Sequence, residues 1–329
     1  MILPYVTNSE LGVTTFFVIS GYLITYLLRR EQEKQGTINI PAFYRRRVLR
    51  IFPAFYSYLA VITILSVLKI IPLHLDNIVT AGTFLWNYGH YWLHDGNKYG
   101  WYIGHFWTLS LEEQFYLLWP AALALLRPKK ALLLALTLIV LMPPIRVITY
   151  FLDPSSRGQV GMMLHTAADA LMFGCVLALG EGTPIFEKLW KYFQNWLIPL
   201  ITSLFVLVVW PYISVHHRHL SAPFGMTFNG ISLAIVLLWL VRNPQSVVGR
   251  FLNSPGLVFI GVLSYSLYLW QQLILGPVNG TWTHQFPINL VLCFALGTAS
   301  YYVIEKPFLA LRHRKPMFAF VAADKSQHP

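Results

Sequence analysis

Nine long apolar runs, each carrying few charges, divide this chain of 329 residues. A helix of about 20 apolar residues is long enough to cross the hydrocarbon core of a bilayer. Hydrophobic residues make up 56% of the chain and charged residues only 11%, against about 25% charged in soluble domains. The sequence therefore predicts an all-α, polytopic membrane protein. The predicted spans are, approximately, 10–28, 51–71, 104–126, 131–151, 163–180, 196–213, 227–241, 257–276 and 287–304.

A tenth apolar stretch, 78–92, is short and is interrupted by Gly82, Asn87 and Gly89, which favours an interfacial or re-entrant segment. If it does not cross, 19 of the 24 Lys and Arg residues fall in loops on one side and four on the other. Basic loops stay in the cytosol. This pattern predicts a multi-pass protein of the cell inner (plasma) membrane, with Met1 outside and a cytosolic C-terminus.

The remaining composition excludes several classes of protein. The net charge of +11 resides in short loops between spans, so it indicates membrane topology and not nucleic-acid binding. Cys175 and Cys293 both lie in apolar runs, which gives neither a disulfide framework nor a metal site. The tract His216–His219 has no Cys, Asp or Glu beside it, so we expect no metal there. Walker, GxSxG and HExxH motifs do not occur.

Four arginines cluster in the segment Phe43–Pro53, which reads FYRRRVLRIFP. Such a segment can anchor the chain at lipid headgroups. It can also bind phosphate, because guanidinium is the better bidentate ligand for phosphate oxygens. On a helix, Arg46 and Arg50 share one face, as do Arg47 and Arg50. The residues alone leave both interpretations open.

Two adjacent acids stand in the segment His105–Tyr116, which opens the third predicted span with HFWTLSLEEQFY. Carboxylates inside a membrane are costly and usually functional. His105 and Glu112 are seven residues apart and face the same way on a helix, so the pair could hold a general base or orient an acceptor hydroxyl. The alternative is an interfacial cap in which both acids lie near water.

Asp169 is a lone acid in the fifth predicted span. A carboxylate there needs a partner, for which we expect Arg146 or an arginine from the cytosolic side. A structural ion pair and a catalytic role both fit the residue pattern.

Two further segments carry small or polar groups at helical spacing. Ser20 and Gly21, in FFVISGYL, favour close packing of two helices, with an approach of backbone to ligand as the alternative. Tyr265, Tyr268 and Gln272 share one helix face. They either line a cavity or form an aromatic belt with interhelical hydrogen bonds.

Six segments in order resemble the acyltransferase 3 family of membrane O-acyltransferases. They cover residues 12 to 310, nearly the whole chain, and together form a specific signal although each is weak alone. They are Gly12-Val13 leading into FFVISGYLIT, FYRRRVLRIFP, HFWTLSLEEQFYLLWP, ADALMFG, SYSLYLW and IEKP (Ile304 to Pro307).

The resemblance implies about ten membrane helices and transfer of an acyl group, commonly acetyl from acetyl-CoA, to hydroxyls of envelope glycans, lipids or small molecules. Arg46, Arg47 and Arg50 match the family's basic motif and would hold the phosphates of acyl-CoA. Glu112 matches the acid after the W-S-L segment, and Asp169 matches the membrane Asp. Residues 1–315 would form the membrane domain, followed by a short cytosolic tail, 316–329.

The chain departs from the family pattern in three places. Family members usually begin with a helix that carries an intramembrane His, the family's catalytic base, before the FFVISG segment. We expect that helix to be missing here, so that Met1 is not the true start or the chain is truncated. Thr14-Thr15 stand where an acid often follows Gly-Val. Gln271 stands where a His often follows the Y-S-L-Y-L-W segment, and it can act only as a hydrogen-bond partner.

The resemblance and the residues together predict an O-acyltransferase. Its predicted catalytic residues are Glu112, His105 and Asp169, and its partners are the bilayer, an acyl-CoA donor and a hydroxyl-bearing glycan or lipid acceptor. No metal and no nucleic acid are expected. Two alternatives stay open, a multi-span transporter of a lipid-linked or small acidic substrate and an inactive truncated homologue.

Overall fold

The computed structural model describes residues 9–93, 100–275 and 282–311. Regular structure in these ranges is helical throughout, and no strand occurs among them. Short 3₁₀ turns connect some of the helices. The α-helices are α1 Ser9–Gln35, α2 Ile40–Val67, α3 Leu75–Gly82, α4 Phe106–Leu125, α5 Pro128–Leu152, α6 Leu164–Gly180, α7 Pro184–Phe193, α8 Leu197–His216, α9 Arg218–Arg242, α10 Val247–Leu252, α11 Pro255–Ile274 and α12 Ile288–Ala310.

Within the described ranges, seven helices are long and apolar enough to cross a membrane, and α6 with α7 makes an eighth if this pair, bent by 110°, is one span. The predicted span in α4 has 20 residues, but its run Glu112–Gln114 lowers its hydropathy. The all-α polytopic architecture is therefore confirmed. The number of spans is seven or eight by this criterion, where the sequence predicted about nine. The helices that pass alone are α1, α2, α5, α8, α9, α11 and α12.

The stretch 78–92 does not form a spanning helix. It comprises the end of α3, which has eight residues, and a 3₁₀ turn at Trp86–Tyr91. A helix of eight residues is about 12 Å long, far less than the hydrocarbon thickness. The prediction that this segment is interfacial or re-entrant and does not cross agrees with these lengths.

Helix boundaries differ from the predicted spans chiefly where charges or proline adjoin an apolar run. Helix α2 begins at Ile40 and includes the arginine segment, whereas the predicted span began at about 51. Arginine is a good helix former, so hydropathy falls there while helix propensity does not. Helix α9 begins at Arg218 and continues through Pro223, about nine residues before the predicted start.

The chain divides into two compact units. One comprises the described residues of Met1–Ile40 and Val61–Val262, and the other those of Pro41–Ala60 and Leu263–Pro329. The first unit holds Glu112, His105 and Asp169, and the second holds the arginine segment. The predicted tail, 316–329, lies outside the described residues.

The first unit is built around very close contact between α1 and α6. A Cβ atom placed on Gly21 would lie 2.0 Å from the carbonyl oxygen of Leu171, and one on Gly174 would lie 2.1 Å from that of Val18. The thiol of Cys175 adds a contact of 3.7 Å to the carbonyl oxygen of Gly21. Small residues that let two backbones approach are typical of membrane helix pairs. The predicted packing role of Gly21 is confirmed.

Gly174→Ala is expected to lower the thermal unfolding temperature of the detergent-solubilised protein, because the added methyl group meets backbone and not a flexible side chain. Overpacking of this kind costs about 1–3 kcal/mol. The matched control is Gly12→Ala in α1, where a Cβ atom meets nothing within 4 Å. Equal unfolding temperatures for the two variants would contradict the close approach of α1 and α6.

Candidate active site

Glu112 is buried inside helix α4. Its side chain is 4% exposed, and His105, the residue that precedes the helix, is 8% exposed. The two residues lie about two turns apart, or about 10 Å along the axis. The carbonyl oxygen of His105 accepts a hydrogen bond of 3.0 Å from the hydroxyl of Thr108 in the first turn. The alternative of a water-facing cap therefore does not hold for Glu112, which lies in the interior.

Two hydrogen bonds join α4 to α1 on the C-terminal side of Glu112. The Tyr116 hydroxyl donates to Ser20 Oγ at 3.3 Å, and the Trp119 indole donates to Thr25 Oγ1 at 2.8 Å. Buried tyrosine and tryptophan usually find such partners. Because both bonds join spans within one unit, they fix the rotation of α4 and keep Glu112 turned inward.

Gln114 attaches the short segment 78–92 to α4. Its amide exchanges two hydrogen bonds with the amide of Asn87, at 3.1 and 2.9 Å, and also donates to the carbonyl oxygen of Phe84 at 2.9 Å. The sequence showed Asn87 only as a break in an apolar run and did not indicate this pairing. No spacing rule would predict this pair, because the two residues are 27 positions apart in the sequence.

Asp169 and Arg146 form a buried ion pair. The Asp169 side chain is completely buried and that of Arg146 is 2% exposed. One Asp169 carboxylate oxygen accepts from Arg146 Nη2, and the other accepts from the Thr227 hydroxyl at 2.6 Å. The partner of Asp169 is therefore Arg146, one of the two kinds of arginine partner expected from the sequence.

Three further acceptors surround the Arg146 guanidinium. Its Nε donates to the carbonyl oxygen of Thr166 at 2.6 Å, and its Nη1 donates to that of Pro223 at 2.7 Å and to the Thr227 hydroxyl at 2.9 Å. The network thus connects α5, α6 and α9. A buried charge with this many partners is well compensated, so the geometry favours the structural interpretation of Asp169 over a catalytic one.

A cavity of about 1020 Å³ opens within the first unit beside this network. The residues that line it include Trp107, Trp210, Arg146, Glu10 and Arg157. The cavity therefore combines aromatic surface with charged residues. Trp107 belongs to α4, five residues before Glu112, so the cavity shares this helix with the candidate acid.

Asp153 follows the last residue of α5, and its carboxylate accepts hydrogen bonds from two hydroxyl groups. Ser155 Oγ donates at 2.5 Å and Tyr91 at 2.7 Å. These hydrogen bonds, that of Ser155 first, stabilise the ionised carboxylate and lower the pKa of Asp153 to about 2. The hydrogen bond from Tyr91 to Asp153 also holds the 3₁₀ turn Trp86–Tyr91 against the loop after α5. Neither Tyr91 nor Asp153 was predicted from the sequence to have such a role.

The arginine segment lies in the second unit, on the first turns of α2. Arg45 donates to the carbonyl oxygen of Leu311 at 3.2 Å, and the guanidinium of Arg47 lies 5.6 Å from the centre of the Phe43 ring. Arg50 is exposed and makes no hydrogen bond or ion pair with any residue in the described part of the chain. The helical spacing assumed for Arg46, Arg47 and Arg50 is confirmed by α2.

Tyr265 supports the interhelical alternative for the SYSLYLW segment, since its hydroxyl donates to the carbonyl oxygen of Ile51 at 2.9 Å.

The histidine tract shows one contact within its own helix, where His216 Nδ1 lies 2.8 Å from the carbonyl oxygen of Tyr212. The side chains of Arg218 and His219 lie outside the described part. Across the described residues, no group of three His, Cys, Asp or Glu side chains is placed to hold a metal ion.

Comparison with known proteins identifies the family. The sequence profile described as the Acyltransferase domain (Acyl_transf_3) matches residues 1–306. The protein SACOL0978 of Staphylococcus aureus (strain COL), which carries an inferred O-acetyltransferase assignment, is 29% identical over 335 residues, covering 92% of this chain and 53% of its own length. O-acetyltransferase OatA of Staphylococcus aureus (strain MRSA252) is 28% identical over 344 residues, covering 98% and 56%.

The chain spans about half the length of these curated relatives. No solved structure matches it. The profile covers all six segments that carry the resemblance except the last residue of IEKP, and it covers them in one continuous match. The chain therefore belongs to the acyltransferase 3 family of membrane acyltransferases.

Proposed function

We propose that this chain is a membrane O-acyltransferase that moves an acyl group, acetyl in the first instance, from acyl-CoA to a hydroxyl of an envelope glycan or lipid. The observation that carries the proposal is the family match over residues 1–306. The relatives named as O-acetyltransferases, which align with more than nine-tenths of the chain, support the choice of acetyl.

The arginines of α2 are the proposed site for the donor. Arg46, Arg47 and Arg50 stand on one side of a helix, and Arg50 has all its donors available among the described residues. Guanidinium groups bind phosphate oxygens in bidentate fashion, and coenzyme A carries three phosphates. The distribution of basic loops supports a cytosolic position for this segment and for the C-terminus, at the inner (plasma) membrane, where acyl-CoA is available.

The first unit is the proposed site for the acceptor. Its cavity offers aromatic faces, which suit a sugar ring or a lipid chain, and polar groups that can bind hydroxyls. Glu112 is proposed to orient the acceptor hydroxyl or the base, with His105 assisting at the start of the helix. Asp169 contributes by keeping Arg146 in place at the cavity wall.

The transfer itself requires a base. The acceptor oxygen attacks the thioester carbon, a C–O bond forms, and the C–S bond breaks to release the thiol of coenzyme A. The hydroxyl proton passes to the base, a role that the family resemblance assigns to an intramembrane histidine, and then from the base to the sulfur of the leaving thiolate. In this scheme a buried carboxylate such as Glu112 favours the charged form of the histidine that develops during proton transfer.

A double variant, Arg47→Ala with Arg50→Ala, is expected to weaken acyl-CoA binding at least about tenfold, because charge-assisted hydrogen bonds contribute about 1.5–3 kcal/mol each. Binding of acetyl-CoA to protein in nanodiscs is the measurement. In parallel, mass spectrometry of envelope glycans and lipids should show a new acetyl mass in cells that express the protein. The same double variant should reduce that mass.

The matched control is Lys129→Ala with Lys130→Ala, which removes the same charge from the first turn of α5, on the basic side of the predicted topology. Unchanged acetyl-CoA affinity in the arginine variant would contradict the donor site. Counterflow of a labelled lipid-linked or acidic substrate without any covalent product would replace the transferase proposal with a transporter.

A further inference from the structure

Helix α7, Pro184–Phe193, is a regular helix without a buried side. It has ten residues, all of them described, and none of them is buried. Isolated helices shorter than about 12–15 residues are marginal in water, and helices in proteins owe most of their stability to packing of an apolar face. The sequence of α7, PIFEKLWKYF, is rich in apolar and aromatic residues. Its apolar face therefore needs a partner beyond the rest of the first unit.

The angle between α6 and α7 sets the direction of α7. Helix α6 has 17 residues, so it is about 26 Å long and lies within the range of membrane-crossing helices. The chain then bends by 110° into α7. Because this turn exceeds a right angle, the length of α7, about 15 Å, adds nothing to the span. With α6 crossing the bilayer, α7 lies close to the plane of the membrane surface.

The bend between the two helices is fixed by hydrogen bonds. Arg29 Nη1, from α1, donates to the carbonyl oxygens of Ala178 and Glu181, at 2.9 and 2.8 Å, and so caps the end of α6. Gly182 has a φ of +80°, a left-handed conformation typical of the residue that ends a helix. Thr183 caps α7 by accepting a hydrogen bond from a backbone N–H of its first turn. The direction of α7 is thus built into the fold.

Arg242, the last residue of α9, fixes the rotation of α7. Its guanidinium forms a two-point ion pair with the Glu187 carboxylate, with distances of 2.9 and 2.5 Å. It also lies over the rings of Phe186 and Trp190, 5.4 and 4.9 Å from their centres. At 100° per residue, these three residues of α7 fall on one side of the helix. That side faces α9, and the opposite side faces away from the unit.

The outward surface of α7 is amphipathic. Ile185, Leu189 and Tyr192 are exposed and form one apolar stripe at the i, i+4, i+7 spacing. Lys188 and Lys191 are exposed beside this stripe. An apolar stripe flanked by lysines is the pattern of helices that lie in the interface of a bilayer. The direction of α7, which is derived separately from the bend, places it where such a helix would lie.

Charge identifies the lipid that suits this surface. The carboxylate of Glu187 is paired with Arg242, so the exposed charges of α7 are those of Lys188 and Lys191. Lysines at a membrane surface are attracted to anionic headgroups, and the attraction falls off within a Debye length. The bend holds both lysines at the surface, within that distance.

We propose that α7 is an interfacial helix that binds anionic phospholipid on the basic side of the protein. Its stripe of Ile185, Leu189 and Tyr192 enters the boundary between headgroups and acyl chains, and Lys188 and Lys191 bind the lipid phosphates. The partner is the bilayer itself, which supplies the apolar surface that α7 lacks within the protein. This role is separate from acyl transfer and does not depend on the proposed function.

The depth of α7 is measured with spin labels on the full chain in vesicles of phosphatidylcholine and phosphatidylglycerol. Labels are attached at Ile185→Cys, Leu189→Cys and Lys191→Cys, and the unsubstituted protein gives the background, since both native cysteines are buried. Labels on the stripe should collide more often with oxygen, which concentrates in the bilayer, than with a water-soluble nickel chelate. The label at Lys191→Cys should show the reverse. More collisions with nickel at all three positions, or shielding from both reagents at all three, would overturn the interfacial position.

The role of the lysines is measured by thermal unfolding in nanodiscs of phosphatidylcholine with and without phosphatidylglycerol. A lipid that binds the folded protein raises its unfolding temperature, so the wild type should unfold at a higher temperature with phosphatidylglycerol. Lys188→Gln with Lys191→Gln should lose at least half of that rise.

The matched control is Lys129→Gln with Lys130→Gln, which removes the same charge from the first turn of α5 and should keep most of the rise. An equal loss in both variants would indicate a diffuse attraction to the surface and would overturn the assignment to α7. A wild-type protein indifferent to phosphatidylglycerol would overturn it as well. Neither measurement involves acyl transfer, so failure here would leave the proposed function standing.

Discussion

Glu112→Gln is expected to reduce acyl transfer by about 10²-fold or more, the usual contribution of a positioned acid or base. Glutamine has nearly the same volume as glutamate and can form hydrogen bonds, but it carries no charge to favour a protonated base. Because the two side chains have nearly the same shape, the packing around Glu112, which is buried in α4, should be little changed. The measurements are acetyl incorporation into envelope material in cells and turnover by the purified protein.

Glu113→Gln provides the matched control for this experiment, because it makes the same chemical change one position along α4 at a half-buried side chain. It should leave transfer within about threefold of the starting activity, since a residue turned about 100° away on a helix faces other neighbours. If Glu113→Gln abolished transfer and Glu112→Gln did not, the assignment of the two acids would be reversed.

Asp169→Ala is expected to destabilise the protein by about 3–5 kcal/mol, the effect of removing one partner from a buried ion pair. Arg146 would keep its charge in the interior with only carbonyl oxygens and one hydroxyl as partners. The expected observation is a large fall in the yield of folded protein and in its thermal unfolding temperature in detergent.

A second variant separates the structural role of Asp169 from a catalytic one. Replacing both partners, Arg146→Leu with Asp169→Leu, removes the uncompensated charge and should recover most of the lost stability, as apolar replacements of buried pairs often do. If the pair is structural, transfer activity should return together with stability. A stable double variant whose catalytic rate constant stayed near zero at saturating donor would show that Asp169 takes part in the reaction.

Several features of the fold could be predicted because they depend on local composition. Apolar runs predict the spans, since a chain in a bilayer must satisfy its backbone hydrogen bonds within each helix. Gly21 predicted a close helix contact for a similar reason, because a missing side chain permits close approach whatever the partner. The predicted number of spans, about nine, exceeds the seven or eight that pass on length and hydropathy, because the run Glu112–Gln114 lowers the hydropathy of α4.

The candidate site was predicted only in part. The residue types of Glu112 and Asp169 identified them as costly groups that need a purpose or a partner, and Arg146 was one of two partners considered. The Gln114–Asn87 pair and the link from Tyr91 to Asp153 were not predicted. Each joins residues far apart in sequence, and no spacing rule relates residues on different helices.

The sequence by itself determined the class of fold, the membrane as solvent and the family, because composition, apolar length and ordered motifs are properties of the chain that need no contacts. Only the tertiary structure decided the use of each polar side chain. It paired Asp169 with Arg146 and Thr227, and it placed Glu305 beside Ser266. The physical reason is that a buried charge is stabilised by partners that packing brings together from separate helices, and those partners are set by helix rotation and not by local sequence.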